Sequence, residues 1–159
     1  MKIISIDPGY ERLGIAIMEK EPKGKEVLVF SECFKTSAKL SHPERLGLIK
    51  NRIEEIIEEF RPEKMAIETL FFTNNQKTVM QVSEARGTII ATAQSMGVTV
   101  SEFGPGEIKV SVTGYGKSDK SAIISMIPRL IKINKVIKHD DEFDAIAVGL
   151  TYFAHNGKF

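Results

Sequence analysis

IISIDPGYERLGIAI, residues 3–17, reads as a strand, a tight turn and a second strand. The run from Lys2 to Asp7 is apolar and β-branched, and Pro8-Gly9 punctuates it. Leu13 to Met18 is apolar again. The segment 22–25, Pro-Lys-Gly-Lys, then leads as a hairpin-like loop into Glu26 to Phe34, which alternates loosely. Three short strands with short joins predict an antiparallel meander.

Helical spacing takes over next. Leu46, Ile49, Ile53, Ile56, Ile57 and Phe60 recur at three- and four-residue steps behind an early-turn Pro43. This helix ends before Arg61-Pro62. Met65 to Glu68 is a short buried strand, and 69–75 a loop with an apolar start. A long helix runs from Gln76 to Met96 and stops at Gly97. Val98 to Phe103 is a fifth strand and Pro105 to Val112 a short helix. Ser118 is placed to cap a helix reaching Ile127, with Pro128 bending or ending it. Glu142 to Ala154 closes the order as a last helix. Such an order of strands and helices makes a mixed α/β layer fold.

The bulk numbers bound the class. The chain has 159 residues, 42% hydrophobic and 27% charged, which suits one soluble domain with one sizeable core. Net charge is only +1, so the total does not announce a polyanionic partner. The distribution says more. Seven Lys/Arg lie between Pro105 and His139 against only Glu107 and Asp119, while Glu54, Glu55, Glu58 and Glu59 gather elsewhere. One face can therefore be basic. The single cysteine, Cys33, excludes an intrachain disulfide and reads as a small buried strand residue rather than a reactive thiol. Asp7-Pro8 comes too early for a signal-peptide apolar region, and no apolar run reaches membrane-spanning length. A cytoplasmic, non-membrane protein is expected.

Four carboxylates draw the chemistry. Asp7 and Glu68 each end a strand. Asp141 and Asp144 lie three apart at the start of the last helix and share a face, with Asp140 also in reach of it. Converging carboxylates repel and raise one another's pKa unless cations intervene. Hard divalent cations favour such oxygen donors, and a pair of them can drive phosphodiester hydrolysis. Taken singly, Asp140, Asp141 and Asp144 read better as caps or dipole partners than as ligands, and Asp7 also reads as a turn residue. Glu68 stands out, because KMAIE has no structural need for an acid at its end.

Four blocks in order carry a resemblance. IISIDPGYERLGIAI, AIETLFFTNNQKTVMQVSEARG (66–87), GPGEIKVSVTGYGKSDKSAI (104–123) and DEFDAIAVGL (141–150) resemble the signature blocks of the RuvC family of Holliday-junction resolvases. The resemblance covers nearly the whole chain. It implies one RNase H-like nuclease domain over residues 1–159: a mixed five-stranded sheet, three antiparallel strands then parallel additions, with helices on both faces. It implies that Asp7, Glu68, Asp141 and Asp144 are catalytic acids holding two Mg²⁺, with Mn²⁺ as a substitute. Asp7 would bridge both ions, Glu68 and Asp144 flank them, and Asp141 complete the shell. His139 is out of register for a metal role and reads as a solvated loop residue.

The same resemblance places Lys109 and Lys120 near the scissile strand and gives Phe71 the role of a wedge at the junction crossover, with Phe72 packing inward. Lys77, Arg86, Lys117 and Arg129 are candidate phosphate contacts. Lys132, Lys135 and Lys138 form a basic edge or a solvated loop. The broad apolar set of the long helix, from Val79 and Met80 to Met96, suits a homodimer with two-fold symmetry, as a four-way junction has two strands to cut. The expected product is a paired nick with 5′-phosphate and 3′-hydroxyl ends. RuvA and RuvB are the partners the family suggests. Other readings are an RNA-processing nuclease of YqgF type, a phage-type enzyme of broad branched-DNA range, and a junction-binding module without catalysis, which intact acids disfavour. A further alternative is an actin-like ATPase, although that fold needs two such domains and 159 residues supply one.

Overall fold

The computed structural model describes residues 1–70 and 75–156. Five strands form one sheet: β1 (Lys2–Asp7), β2 (Arg12–Lys20), β3 (Glu26–Lys35), β4 (Lys64–Glu68) and β5 (Thr99–Phe103). Their order across the sheet is β3-β2-β1-β4-β5. The first three are antiparallel neighbours, and β4 and β5 add in parallel to β1, as expected. The helices are α1 (His42–Phe60), α2 (Gln76–Ser95), α3 (Pro105–Thr113), α4 (Lys120–Leu130) and α5 (Asp140–Asn156). None of the described helices is long and apolar enough to cross a membrane.

Strand alternation sorts the chain into two cores. Ile4, Ile6, Ile15, Ile17, Met65 and Ile67 face α1 and α2, packing on Ile49, Ile53, Ile56, Ala85 and Ile89. Ile3, Ala16, Met18 and Ala66 face α3, α4 and α5. Continuing that alternation by one residue carries Asp7 and Glu68 to the α5 face. Because Ile6 pairs with Ile67 in a parallel register, the two acids end adjacent strands side by side.

Small residues let α5 lie close on the sheet. A Cβ on Gly149 would fall 2.4 Å from the Met18 sulfur and 2.8 Å from the Ser5 Oγ. At Gly14 it would fall 2.1 Å from the Asp141 carbonyl oxygen and 3.1 Å from the Asp7 Cβ. Gly14 pairs with Asp7 across β1 and β2, so the start of α5 rests on the end of β1 only because that position has no side chain.

Helix starts follow capping chemistry, with two departures from expectation. Ser41 and Glu44 close a capping box before α1, with Pro43 in its first turn. Asn75 caps α2, its side chain accepting from the Thr78 N–H. The cap of α4 is Asp119, not Ser118: the Asp119 carboxylate accepts from the Ala122 N–H at 2.8 Å, while Ser118 is buried against Thr113. A charged oxygen accepts more strongly than a hydroxyl and answers the helix dipole. Pro128 lies inside α4, which continues to Leu130. The last helix begins at Asp140 rather than Glu142, which draws Asp140, Asp141 and Glu142 into its first turn.

Candidate active site

Asp7, Glu68, Asp141 and Asp144 meet where α5 crosses the ends of β1 and β4. Each influences its neighbours. Burial, then repulsion from Asp144, Glu68 and Asp141, holds the Asp7 carboxyl well above the usual carboxylate range, with Lys120 working the other way. Burial and then Asp144 push Glu68 up to about 7, against the pull of Lys109 and Lys120. Burial also raises Asp144, although its bond from Lys120 offsets part of this. Glu68 and Asp144 line one small cavity with Lys109, Pro105, Ile108, Ile123 and Ala147.

Two cations sit against the acids. The Lys120 Nζ donates to Asp144 at 2.7 Å and lies 3.7 Å from Asp140. Arg12, at the start of β2, pairs with Asp141 and stands 3.4 Å from the His139 Nδ1. The Cys33 thiol lies 3.7 Å from the same Asp141 carboxylate. Burial, the largest influence on that thiol, raises its pKa. Cys33 is half-buried and pairs with Gly14, so it borders the site without being the fully buried residue expected. The sequence does not mark Arg12 as a site residue, and it marks Cys33 only as a buried strand residue. Arg12 does lie inside the first quoted block, and Cys33 becomes visible only once β3 is registered against β2.

The supports behind the acids are equally specific. The Glu142 carboxylate is buried one residue after Asp141. It accepts from Ser31 at 2.7 Å and from the Lys135 Nζ at 2.6 Å, and Lys135 also donates to the Ser31 carbonyl. This clamps the first turn of α5 onto β3 and fixes which way Asp141 and Asp144 face. Lys135 is therefore bonded to Glu142 and Ser31 while its side chain stays 41% exposed at the edge. Arg86 is likewise engaged within the molecule. Its Nε donates to the Glu68 main-chain carbonyl at 2.9 Å and its Nη2 pairs with Glu102, so it braces the strand end instead of reaching outward for phosphate. A network on the α1 side holds the turn after Asp7. Arg45 stacks on Tyr10 and donates to Thr36, which in turn donates to the Tyr10 carbonyl at 2.7 Å.

The remaining residues distribute simply. Lys109 is half-buried beside Glu68, while Lys77, Lys117, Arg129, Lys132 and Lys138 are exposed. Phe71 and Phe72 lie outside the described residues.

A donor set of four carboxylates suits hard divalent ions. The raised pKa values of Asp7, Glu68 and Asp144 are what crowded carboxylates show when protons and lysine carry the compensation. Among the described residues no three acidic, histidine or cysteine side chains are gathered closely enough to enclose an ion. The side chains of Asp141 and Asp144 are turned toward Arg12 and Lys120. The fit to metal therefore rests on the donor chemistry and the shared position, not on a closed cage.

Comparison with known proteins bears on this geometry. The family model described as Crossover junction endodeoxyribonuclease RuvC matches residues 3–152. A protein of that name from Alkaliphilus oremlandii is 39% identical over 159 residues, spanning 100% of this chain and 96% of its own. One from Fusobacterium nucleatum is 36% identical over 152 residues, 96% of this chain and 80% of its own. The solved structure of Thermus thermophilus RuvC in complex with Holliday junction substrate superimposes with a TM-score of 0.90 at 30% identity. It covers 98% of this chain and 94% of that one.

Proposed function

Since the chain belongs to the RuvC family of crossover junction endodeoxyribonucleases, we propose that it resolves Holliday junctions by hydrolysing DNA phosphodiesters in paired strands. The observation that carries this reading is the meeting of Asp7, Glu68 and Asp144 at one end of the sheet, with burial and mutual repulsion raising all three.

The residues take these roles in our reading. Asp7, Glu68, Asp141 and Asp144 would hold two Mg²⁺ ions, or Mn²⁺ in their place, within a single domain. When bound, the ions supply an activated water and neutralise the leaving oxygen of an in-line displacement. Lys120 and Lys109, already beside Asp144 and Glu68, hold positive charge where the scissile phosphate enters and can turn from carboxylate to phosphate. Arg12 does the same for Asp141 from the other side. Glu142, with Lys135 and Ser31, keeps the first turn of α5 in phase, and Arg86 keeps the Glu68 strand end in place. Lys117 and Lys77 contact phosphates farther out. Phe71 wedges the crossover. A two-fold homodimer supplies the second site for the opposing strand, and the enzyme works in the cytoplasm on recombination and repair intermediates.

The deciding experiment offers synthetic four-way, three-way and linear duplex DNA, together with a structured RNA, in Mg²⁺ or chelator. Symmetric cuts near the crossover of the four-way substrate are expected, with 5′-phosphate and 3′-hydroxyl ends and only in Mg²⁺. Asp7→Asn should bind the junction and leave it intact. Normal nicking by Asp7→Asn, or preferred cleavage of the RNA, overturns the assignment.

A further inference from the structure

Apart from Lys117, the loop between α3 and α4 has no role in the chemistry above, yet its main chain is closely held. It carries Tyr115 between Gly114 and Gly116. Gly114 ends α3 in the left-handed region at φ 78°, its N–H bonded to the Val110 carbonyl at 2.8 Å. Gly116 passes over α3, where a Cβ would lie 3.3 Å from the Val110 methyl group. The main chain of Tyr115 is pinned at both ends. Its N–H donates to the Thr113 Oγ1 at 3.2 Å. Its carbonyl accepts from the Ser118 N–H at 3.1 Å and from the Ser118 Oγ at 2.7 Å. Ser118 itself is 9% exposed and lies 2.6 Å from the Thr113 hydroxyl.

Tyr115 is nevertheless 60% exposed. A large aromatic group is thus presented to solvent on a fixed base, which is the reverse of how a floppy surface residue arises. Such a ring loses little freedom on meeting a partner. Its setting is cationic, with Lys117 two residues on and Lys109 and Lys120 on the flanking helices. The 115–118 turn is closed, and two further residues reach Lys120, so Tyr115 lies roughly 10 Å from the start of the helix that touches Asp144. The Lys120 side chain spans the remaining gap to Asp144, so Tyr115 stands within a few nucleotides of a phosphate held at the acids.

We propose that Tyr115 is a stacking contact for a nucleobase or sugar of the DNA strand flanking the scissile phosphate, with Lys117 holding the neighbouring phosphate. The proposal rests on the reading of the chain as a branched-DNA nuclease. It adds a sequence-tolerant contact on the α3–α4 loop to the acids and lysines of the reaction centre. Aromatic–base stacking is short-ranged and uncharged, whereas a lysine–phosphate contact releases counterions, so the two differ in their response to salt.

The test uses the full chain and a fluorescent synthetic four-way junction, with affinity measured in chelator at several salt concentrations and cut positions mapped in Mg²⁺. Tyr115→Ala should weaken binding about tenfold, within the range one stacked base contributes, without changing the slope of affinity against salt. Its melting temperature should match the parent's, because the ring is exposed. Tyr115→Phe should bind within about twofold of the parent, since the stacking face is retained. Lys117→Ala should instead flatten the salt dependence. If Tyr115→Ala binds and cuts as the parent does, or if Tyr115→Phe is as weak as Tyr115→Ala, the stacking role is wrong while the nuclease reading stands. A parent chain that neither binds nor cuts the junction removes both.

Discussion

Glu68, in the proposed ion-binding set, ties ionisation to stability through its raised pKa. Its folded value of about 7 lies above the ordinary 4.5, so the folded chain holds a proton that the unfolded chain has released. The stability this proton confers is complete below about pH 4.5 and is lost as pH rises through about 7. In chelator, Glu68→Gln should therefore gain on the parent by about 3 kcal/mol between pH 4.5 and pH 8, read by urea unfolding. Divalent ions bind the deprotonated form, so cleavage at limiting Mg²⁺ should climb with pH and level off above about pH 8. A flat profile would remove Glu68 from the ion-binding set. Arg86 makes a separate prediction. Arg86→Met should raise the Mg²⁺ concentration for half-maximal cleavage several-fold and leave junction affinity unchanged, because it braces the Glu68 carbonyl. Weaker junction binding with an unchanged Mg²⁺ requirement would restore it as a phosphate contact.

At the scale of elements, the decisive contact is that of α5 on β1 and β2. Gly14→Ala puts a methyl group where the Asp141 carbonyl stands, so the helix start must move away from Asp7. A loss of about 1–3 kcal/mol in stability is expected from the overpacking, together with loss of cleavage, in a protein that still folds. Full activity in Gly14→Ala would mean that the helix start can shift without consequence. The strands, the helices and their order were legible from period-2 and period-3.6 patterning, because burial on one face imposes those periods. The acids at strand ends were legible for the same reason. The clamp of Glu142 by Ser31 and Lys135 was not, since it joins residues 111 and 7 positions apart with no local spacing to signal it. Arg86 read as a surface cation because sequence gives charge but not direction. The cap of α4 was misplaced by one residue, where Ser118 and Asp119 are both capable caps and only the fold assigns one of them inward.

For the whole molecule, Met80 is 63% exposed on α2 and Leu48 is 39% exposed on α1, helices that pack together on the face opposite the acids' helix. A two-fold dimer joined through α2 would cover Met80. The parent should sediment as a dimer, and Met80→Glu should shift it toward a monomer that nicks one strand without completing resolution. A monomeric parent that makes paired cuts would dispose of that arrangement. The acids also lie far apart along the chain, at positions 7, 68, 141 and 144. On a ribosome the chain is made from its N-terminus at a rate that puts roughly 10–30 s between the first acid and the last two. On the proposed assignment, a nascent polypeptide with its sheet already paired still lacks half of its ion-binding acids and gains them only as its final helix docks.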